Sequence, residues 1–113
     1  MTPSSYPRRG DVYWTALDPA HGAEMQKTRP CLVLTSNIIN QRRHTVVVVP
    51  LSTSSQRNFP LYVALPSVSE RSQAVIDQIR VVDKGRLGDW ICTIAAGELN
   101  EITEAMKIVF EIR

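Results

Sequence analysis

The chain has 113 residues, a mass of 12.7 kDa and a formal charge of +2, from 13 Lys plus Arg against 11 Asp plus Glu. That length holds one small core and excludes a dinucleotide domain joined to a substrate domain. With 43% hydrophobic and 21% charged residues, the composition is globular rather than that of a disordered tail or a polycation, so a nucleic-acid site would have to be a local patch.

Residues 1–9 hold Pro3, Pro7, Ser4 and Ser5 and are expected to form a flexible arm before one domain, residues 10–113. The start carries charge with no apolar stretch behind it, and no run approaches the ~18 apolar residues of a membrane span. A cytoplasmic protein is the expectation, with Cys31 and Cys92 as reduced core residues.

Residues 11–17, aromatic and branched, read as a strand. Residues 18–28 contain Pro19 and Gly22 and read as a long loop, a length usually reserved for function or motion. A second strand follows over 31–35, with Pro30 at its entry, and residues 37–43 read as a connector or short helical turn. The near-pure valine run 45–49 is expected to be a central strand buried on both faces. After the polar loop 52–58 come a strand at 61–65 and one or two strands over 74–82, then a turn at 83–87. From about residue 97, Leu99, Ile102, Met106, Val109 and Phe110 recur at helical spacing. Ala105, Ile108 and Ile112 widen that stripe, so the helix needs a second surface, which another subunit would supply.

Strands without helical crossovers exclude a parallel sheet. The expected fold is mainly β: an antiparallel sheet of five to seven short strands coiled into a small barrel, with a C-terminal α-helix.

No metal site is expected, because His21 and His44 are far apart in sequence and neither joins a ligand-spaced cluster. No phosphate-cradling glycine loop and no Gly-x-Ser-x-Gly elbow is present. What stands out is a basic and hydroxylic set at strand ends. Glu24, Lys27, Thr28 and Arg29 lead into the second strand, and Arg42, Arg43 and His44 lead into the third. Ser52 and Thr53 leave the third strand with Arg57 after them, and Gln78 and Arg80 lie further on. If the second and third strands pair antiparallel, Arg29 and Ser52 share one rim. The basic surplus is expected there, around Arg29, Arg43, Arg57 and Arg80, with acidic residues mostly elsewhere. Tyr13 and Trp14 alternate, so one ring faces out. Trp90 is either core or interface.

The segments Gly10-Asp11-Val12-Tyr13-Trp14, Gly22-Ala23-Glu24, Lys27-Thr28-Arg29-Pro30, Val49-Pro50-Leu51-Ser52-Thr53 and Asp77-Gln78-Ile79-Arg80 together resemble the MazF/PemK family of toxin endoribonucleases. The resemblance runs from about residue 9 into the C-terminal helix. It implies an SH3-like barrel, a homodimer, cofactor-free and metal-independent cutting of single-stranded RNA, and inhibition by a cognate MazE-like antitoxin. It places the catalytic arginine on Arg29 and its hydroxyl partner on Ser52, where the family more often has threonine; Thr53 is the rival. Glu24 takes a supporting catalytic role, and Gln78 a place in the RNA groove. Lys27, Thr28, Arg43, Thr53, Arg57 and Arg80 complete the expected substrate contacts. The alternatives are a CcdB-like topoisomerase poison on the same barrel, disfavoured because the chain ends Phe110-Glu111-Ile112-Arg113 without tryptophan, and a non-catalytic nucleic-acid-binding module.

Overall fold

A computed structural model of the chain describes residues 5–54 and 58–113. In chain order its elements are β1 (Asp11–Ala16), β2 (Thr28–Val33), α1 (Asn37–Arg42), β3 (Thr45–Ser52), β4 (Tyr62–Ala64), β5 (Gln73–Val75), β6 (Arg80–Asp83), β7 (Leu87–Thr93) and α2 (Ala96–Val109), with 3-10 turns at Ile76–Gln78 and Lys84–Arg86.

All strand pairs are antiparallel, in the order β4-β5-β3-β2-β1-β7, with β6 pairing β3 beside β5. The valine strand β3 is central, as its composition predicts. One of its edges meets β2; the other is divided, with Thr45–Val48 on β6 and Leu51 and Ser52 on β5. That division replaces the expected barrel with an open sheet. Among the described residues β7 pairs only β1, β4 only β5 and β6 only β3, so the edges do not meet.

Closure is unnecessary because both faces of the central strands are covered. Alternate residues of a strand point to opposite faces, and each set meets its own core. One core joins Val12, Leu32, Val49, Leu51 and Ala74 to Ile102 and Ala105 of α2. The other joins Tyr13, Leu17, Cys31, Val33, Val46, Val48 and Val82 under Met25, Leu87 and Trp90. Cys31 and Cys92 are both free thiols. Cys31 is fully buried, and burial pushes its pKa up to about 11 against the lowering effect of Thr15, Arg80 and Arg29.

At the entry to β1, Gly10 takes φ +97°, a region that L side chains rarely adopt. Its N–H donates to Val33 O and its carbonyl accepts from Ile94 N, so one residue stitches β1 to the ends of β2 and β7. The α2 N-terminus is set by Glu98, whose carboxylate accepts the Ala95 N–H at 2.7 Å; Ala95 has no oxygen to return the bond, so only half of a capping box forms. Ile108 and Ile112 lie on solvent, 56% and 54% exposed, because the buried face of α2 is carried by Glu98, Ile102 and Ala105. Among the described residues no helix is long and apolar enough to cross a membrane.

Candidate functional site

The β2–β3 ladder carries the site. Cys31 faces Pro50 and Leu32 faces Val49, and stepping the same register two residues further puts Arg29 opposite Ser52. The antiparallel pairing inferred from the strand ends thus brings the two residues to one side of the sheet's β2–β3 end. Both line a cleft of about 300 Å³ with Trp14, Lys27, Thr28, Pro30, Leu51, Thr53 and Ser72.

Arg29 is half-buried, and its Nε donates to Gln26 O at 3.1 Å. Its two terminal nitrogens have no partner among the described residues. Lys107–Glu104 is the only ion pair among those residues, so no carboxylate neutralises Arg29. A guanidinium in this state presents two uncommitted donors in a fixed plane, the arrangement that fits a phosphate. The Ser52 hydroxyl donates to Ser54 Oγ at 3.0 Å and accepts the Ser54 N–H at 3.1 Å. Thr53, the rival hydroxyl, lines the same cleft and is exposed. Lys27 sits at φ 68° because its backbone closes the loop base: its N–H donates to Asp18 Oδ1, and its carbonyl accepts from Leu17 N.

A second cleft, about 250 Å³, has Pro50 of β3 in its wall, while Leu51 and Ser52 line the first. Its walls are Glu24, Met25, Asp77, Gln78, Ile79 and Arg80. The Gln78 side-chain carbonyl accepts the Met25 N–H at 3.1 Å, which fastens the β1–β2 loop to the 3-10 turn. Arg80 donates to Leu17 O at 3.2 Å, and Arg86 donates to Ala16 O at 3.1 Å and to Asp18 O, anchoring the same loop at its base.

The expected rim therefore divides. Arg29, Ser52, Lys27, Thr28 and Thr53 share one cleft, and Glu24, Gln78 and Arg80 share the second. Glu24 does not reach Arg29: its Oε1 is held by the His21 N–H at 2.7 Å, within its own loop. Arg43 follows α1 at the opposite end of β3 from Ser52, about 30 Å along the strand at ~3.3 Å per residue. It lines neither cleft. Arg57 lies outside the described residues. The acidic residues are not all elsewhere either, because Glu24 and Asp77 line the cleft that holds Arg80. Asp77 and Ser72 were given no role by the sequence. Asp77 lies in a recognisable segment, whereas nothing around Ser72 distinguishes it from any turn serine. Of the two alternating rings, Tyr13 is buried and Trp14 is 46% exposed at the cleft wall. No group of three or more His, Cys, Asp or Glu stands together among the described residues.

The family description "PemK-like, MazF-like toxin of type II toxin-antitoxin system" matches residues 8–110. Endoribonuclease EndoA of Bacillus subtilis is 32% identical over 106 residues, covering 89% of this chain and 91% of that protein. Endoribonuclease MazF9 of Mycobacterium tuberculosis is 30% identical over 114 residues, covering 93% and 97%. A solved mycobacterial endoribonuclease in complex with its cognate antitoxin superimposes with a TM-score of 0.80 at 27% identity, covering 95% of this chain and 97% of that one. The match spans both clefts and both cores, and on that ground the chain belongs to the PemK-like, MazF-like toxins of type II toxin–antitoxin systems.

Proposed function

We propose that this toxin is an endoribonuclease that cuts single-stranded RNA in the cytoplasm, using the RNA's own 2′-hydroxyl as nucleophile. The observation that carries the reading is the Arg29 guanidinium, unpaired with any described carboxylate, lining one open cleft with Ser52. The named endoribonucleases that cover the chain nearly end to end support it.

In the proposed reaction the 2′ oxygen attacks phosphorus, the bond to the 5′ oxygen breaks, and the products are a 2′,3′-cyclic phosphate and a 5′-hydroxyl. The 2′ proton passes to a base and the leaving oxygen gains one. Arg29 stabilises the charge that builds on the phosphorane oxygens, a contribution typically worth ~3–4 kcal/mol for one preorganised donor. It is poorly suited to be the base, because a guanidinium holds its proton too firmly to release it at neutral pH. Ser52 donates a hydrogen bond to a phosphate oxygen, exchanging its Ser54 partner for the substrate. Glu24, held by His21 in the second cleft, supports the substrate rather than taking the 2′ proton. Lys27 and Thr28 contact flanking phosphates, and unpaired bases enter the clefts.

The active unit is a homodimer, supported by the exposed apolar Ile108, Phe110 and Ile112 at the C-terminal end. A cognate antitoxin silences it through an acidic segment laid over Lys27 and Arg29, a reading supported by the solved mycobacterial endoribonuclease in complex with its cognate antitoxin. The test is incubation with single-stranded RNA in EDTA and analysis of the product ends. Cyclic-phosphate ends are expected; intact RNA, or cutting at full rate by a folded Arg29→Ala protein, would overturn the reading.

A further inference from the structure

We propose that Gln73 is a positioning residue for the Ser52 hydroxyl: its side-chain amide takes hold of Ser52 Oγ when RNA draws that hydroxyl away from Ser54. The inference rests on the endoribonuclease reading and deepens it, adding a residue that acts through Ser52.

Gln73 stands directly opposite Ser52 in the β3–β5 ladder, as Ala74 stands opposite Leu51. The β2–β3 register carries the same row on to Arg29. Opposed residues of antiparallel strands point to one face, with Cβ atoms ~4.5–5.5 Å apart. Arg29, Ser52 and Gln73 therefore form one row across three strands. Leu51 and Ala74 point the other way, into the core shared with α2. Arg29 and Ser52 line the cleft of about 300 Å³ and Gln73 does not. It flanks Ser52 on the side away from Arg29, within reach of the hydroxyl and outside the cleft wall.

What marks Gln73 is an amide that spends none of its bonds. Its Oε1 is shut off from solvent with no hydrogen-bond partner, and its NH₂ has none among the described residues. A buried oxygen without a donor costs stability, and the large majority of such atoms in folded proteins are paired. Among the described residues, two other buried side-chain atoms share this state, Asn40 Oδ1 and Trp90 Nε1. Asn40 belongs to α1, which precedes the far end of β3, and Trp90 packs on the second core. Of the three, Gln73 alone stands beside a residue of the site.

Ser52 gives the amide a purpose. In the free chain its O–H donates to Ser54 Oγ and its oxygen accepts the Ser54 N–H. To donate to a phosphate the O–H must turn, which leaves the hydroxyl held only by the Ser54 N–H. A hydroxyl oxygen has two acceptor sites, so the second can take an N–H from Gln73. That bond fixes the direction left for the O–H, and Gln73 breaks no bond to make it. The terminal torsion of glutamine is broad and roughly two-fold, so a turn about it presents the NH₂ to Ser52. The unpaired oxygen of the free chain is thus a stability cost retained for function.

The experiment measures three quantities on the full-length chain and its variants. They are single-turnover cutting of a short single-stranded RNA at saturating protein, affinity for a copy with 2′-deoxyribose at the cut, and Tm. Gln73→Met keeps the length of the side chain and removes its polar end. It is expected to cut roughly three- to tenfold more slowly, the effect of one lost hydrogen bond, with RNA affinity unchanged. Its Tm should equal or exceed that of wild type, because an unpaired buried oxygen has gone. In a Ser52→Ala background the same change should slow cutting no further. Gln73→Glu is isosteric but only accepts, so it draws the Ser52 O–H toward itself and should cut at least as slowly. Should Gln73→Met fail to fold, Gln73→Glu carries the same comparison. The proposal is overturned if the folded variant cuts at the wild-type rate, if its loss persists without the Ser52 hydroxyl, or if the loss falls on RNA affinity instead of rate. Intact RNA with the wild-type chain overturns the nuclease reading itself, an outcome separate from full-rate cutting by a Gln73 variant.

Discussion

Arg29 is fixed by its own loop: its Nε donates to the Gln26 carbonyl at 3.1 Å, while its two terminal nitrogens have no partner among the described residues. A lysine at this position has one nitrogen for both tasks. It can hold the Gln26 carbonyl or meet a phosphate, but it lacks the planar fork that does both. Arg29→Ala is expected to lower the cutting rate by roughly 10²–10³-fold, the usual effect of losing one charge-stabilising donor. Arg29→Lys is expected to recover only a minor part of that loss. Single-turnover rates on one short RNA, with circular dichroism as the fold control, check both.

Ser52 and Thr53 line the same cleft, and their alternation along the chain separates their roles. Ser52 stands opposite Arg29 by register, and its hydroxyl is positioned by Ser54. Ser52→Ala should slow cutting by about ten- to a hundredfold, as expected for a lost hydrogen bond to a charged group. Ser52→Thr keeps the hydroxyl and should stay within a few-fold of wild type. Thr53→Ala should also stay within a few-fold. If the slow variant proves to be Thr53→Ala, the catalytic hydroxyl belongs to Thr53.

The parts that were legible are those where one residue pattern had a single physical outcome. The valine run at 45–49 had to be an interior strand, and the spacing of Leu99, Ile102, Met106 and Val109 had to be a helix. β7 was not legible. Gly88 and Asp89 break its apolar pattern, and the register shifts against β1 between Val12 and Tyr13 and between Tyr13 and Thr15 remove a clean period of two. The open sheet was hidden for another reason: β3 divides one edge between β5 and β6, a choice made by tertiary packing. Within the site, Arg29 and Ser52 could be paired from strand order alone. The same logic excludes Arg43 from their rim, since it precedes the strand that Ser52 ends. The separation of Glu24 from Arg29 was unreadable, because it depends on how the loop folds onto Gln78.

Trp14 supplies a test of where the RNA lies. Its ring is 46% exposed and shares the cleft with Arg29, while neighbouring Tyr13 is buried. Removing an exposed ring should cost little stability. Stacking of one base on an aromatic ring is worth ~1–3 kcal/mol by alanine substitution, so Trp14→Ala should weaken RNA binding by roughly ten- to a hundredfold. Trp14→Phe should restore most of it. Titration of a non-cleavable RNA against each variant measures the effect.

Lys27 carries a conformational cost that can be measured. At φ 68° it occupies the left-handed region, held there by the bonds to Asp18 and Leu17. That region costs a residue with a Cβ roughly 1–2 kcal/mol, and glycine escapes the cost. Lys27→Gly should therefore be more stable than Lys27→Ala by about 1 kcal/mol, the reverse of the order inside a helix. For a chain of this size that is a difference of about 4 °C in Tm. Both variants lose the ammonium, so both should bind RNA more weakly and to a similar degree.

Glu98 should set part of the acid stability. Burial pushes its carboxyl pKa up, but the Ser67 hydroxyl, the Ser67 N–H at 2.9 Å and the Ala95 N–H at 2.7 Å outweigh burial and hold it below the usual carboxylate range. A carboxyl whose folded pKa lies below its unfolded value binds fewer protons when folded. Its stabilisation is thus fully present above the unfolded value near ~4.3 and is lost as pH falls through the folded one. Glu98→Gln removes the titrating group while keeping an oxygen for Ser67 or Ala95. The variant should be less stable than wild type at pH 7, and the gap in Tm should shrink steadily below about pH 4. A gap that stays constant from pH 7 to pH 3 would mean that the loss comes from packing at the start of α2 rather than from the charge.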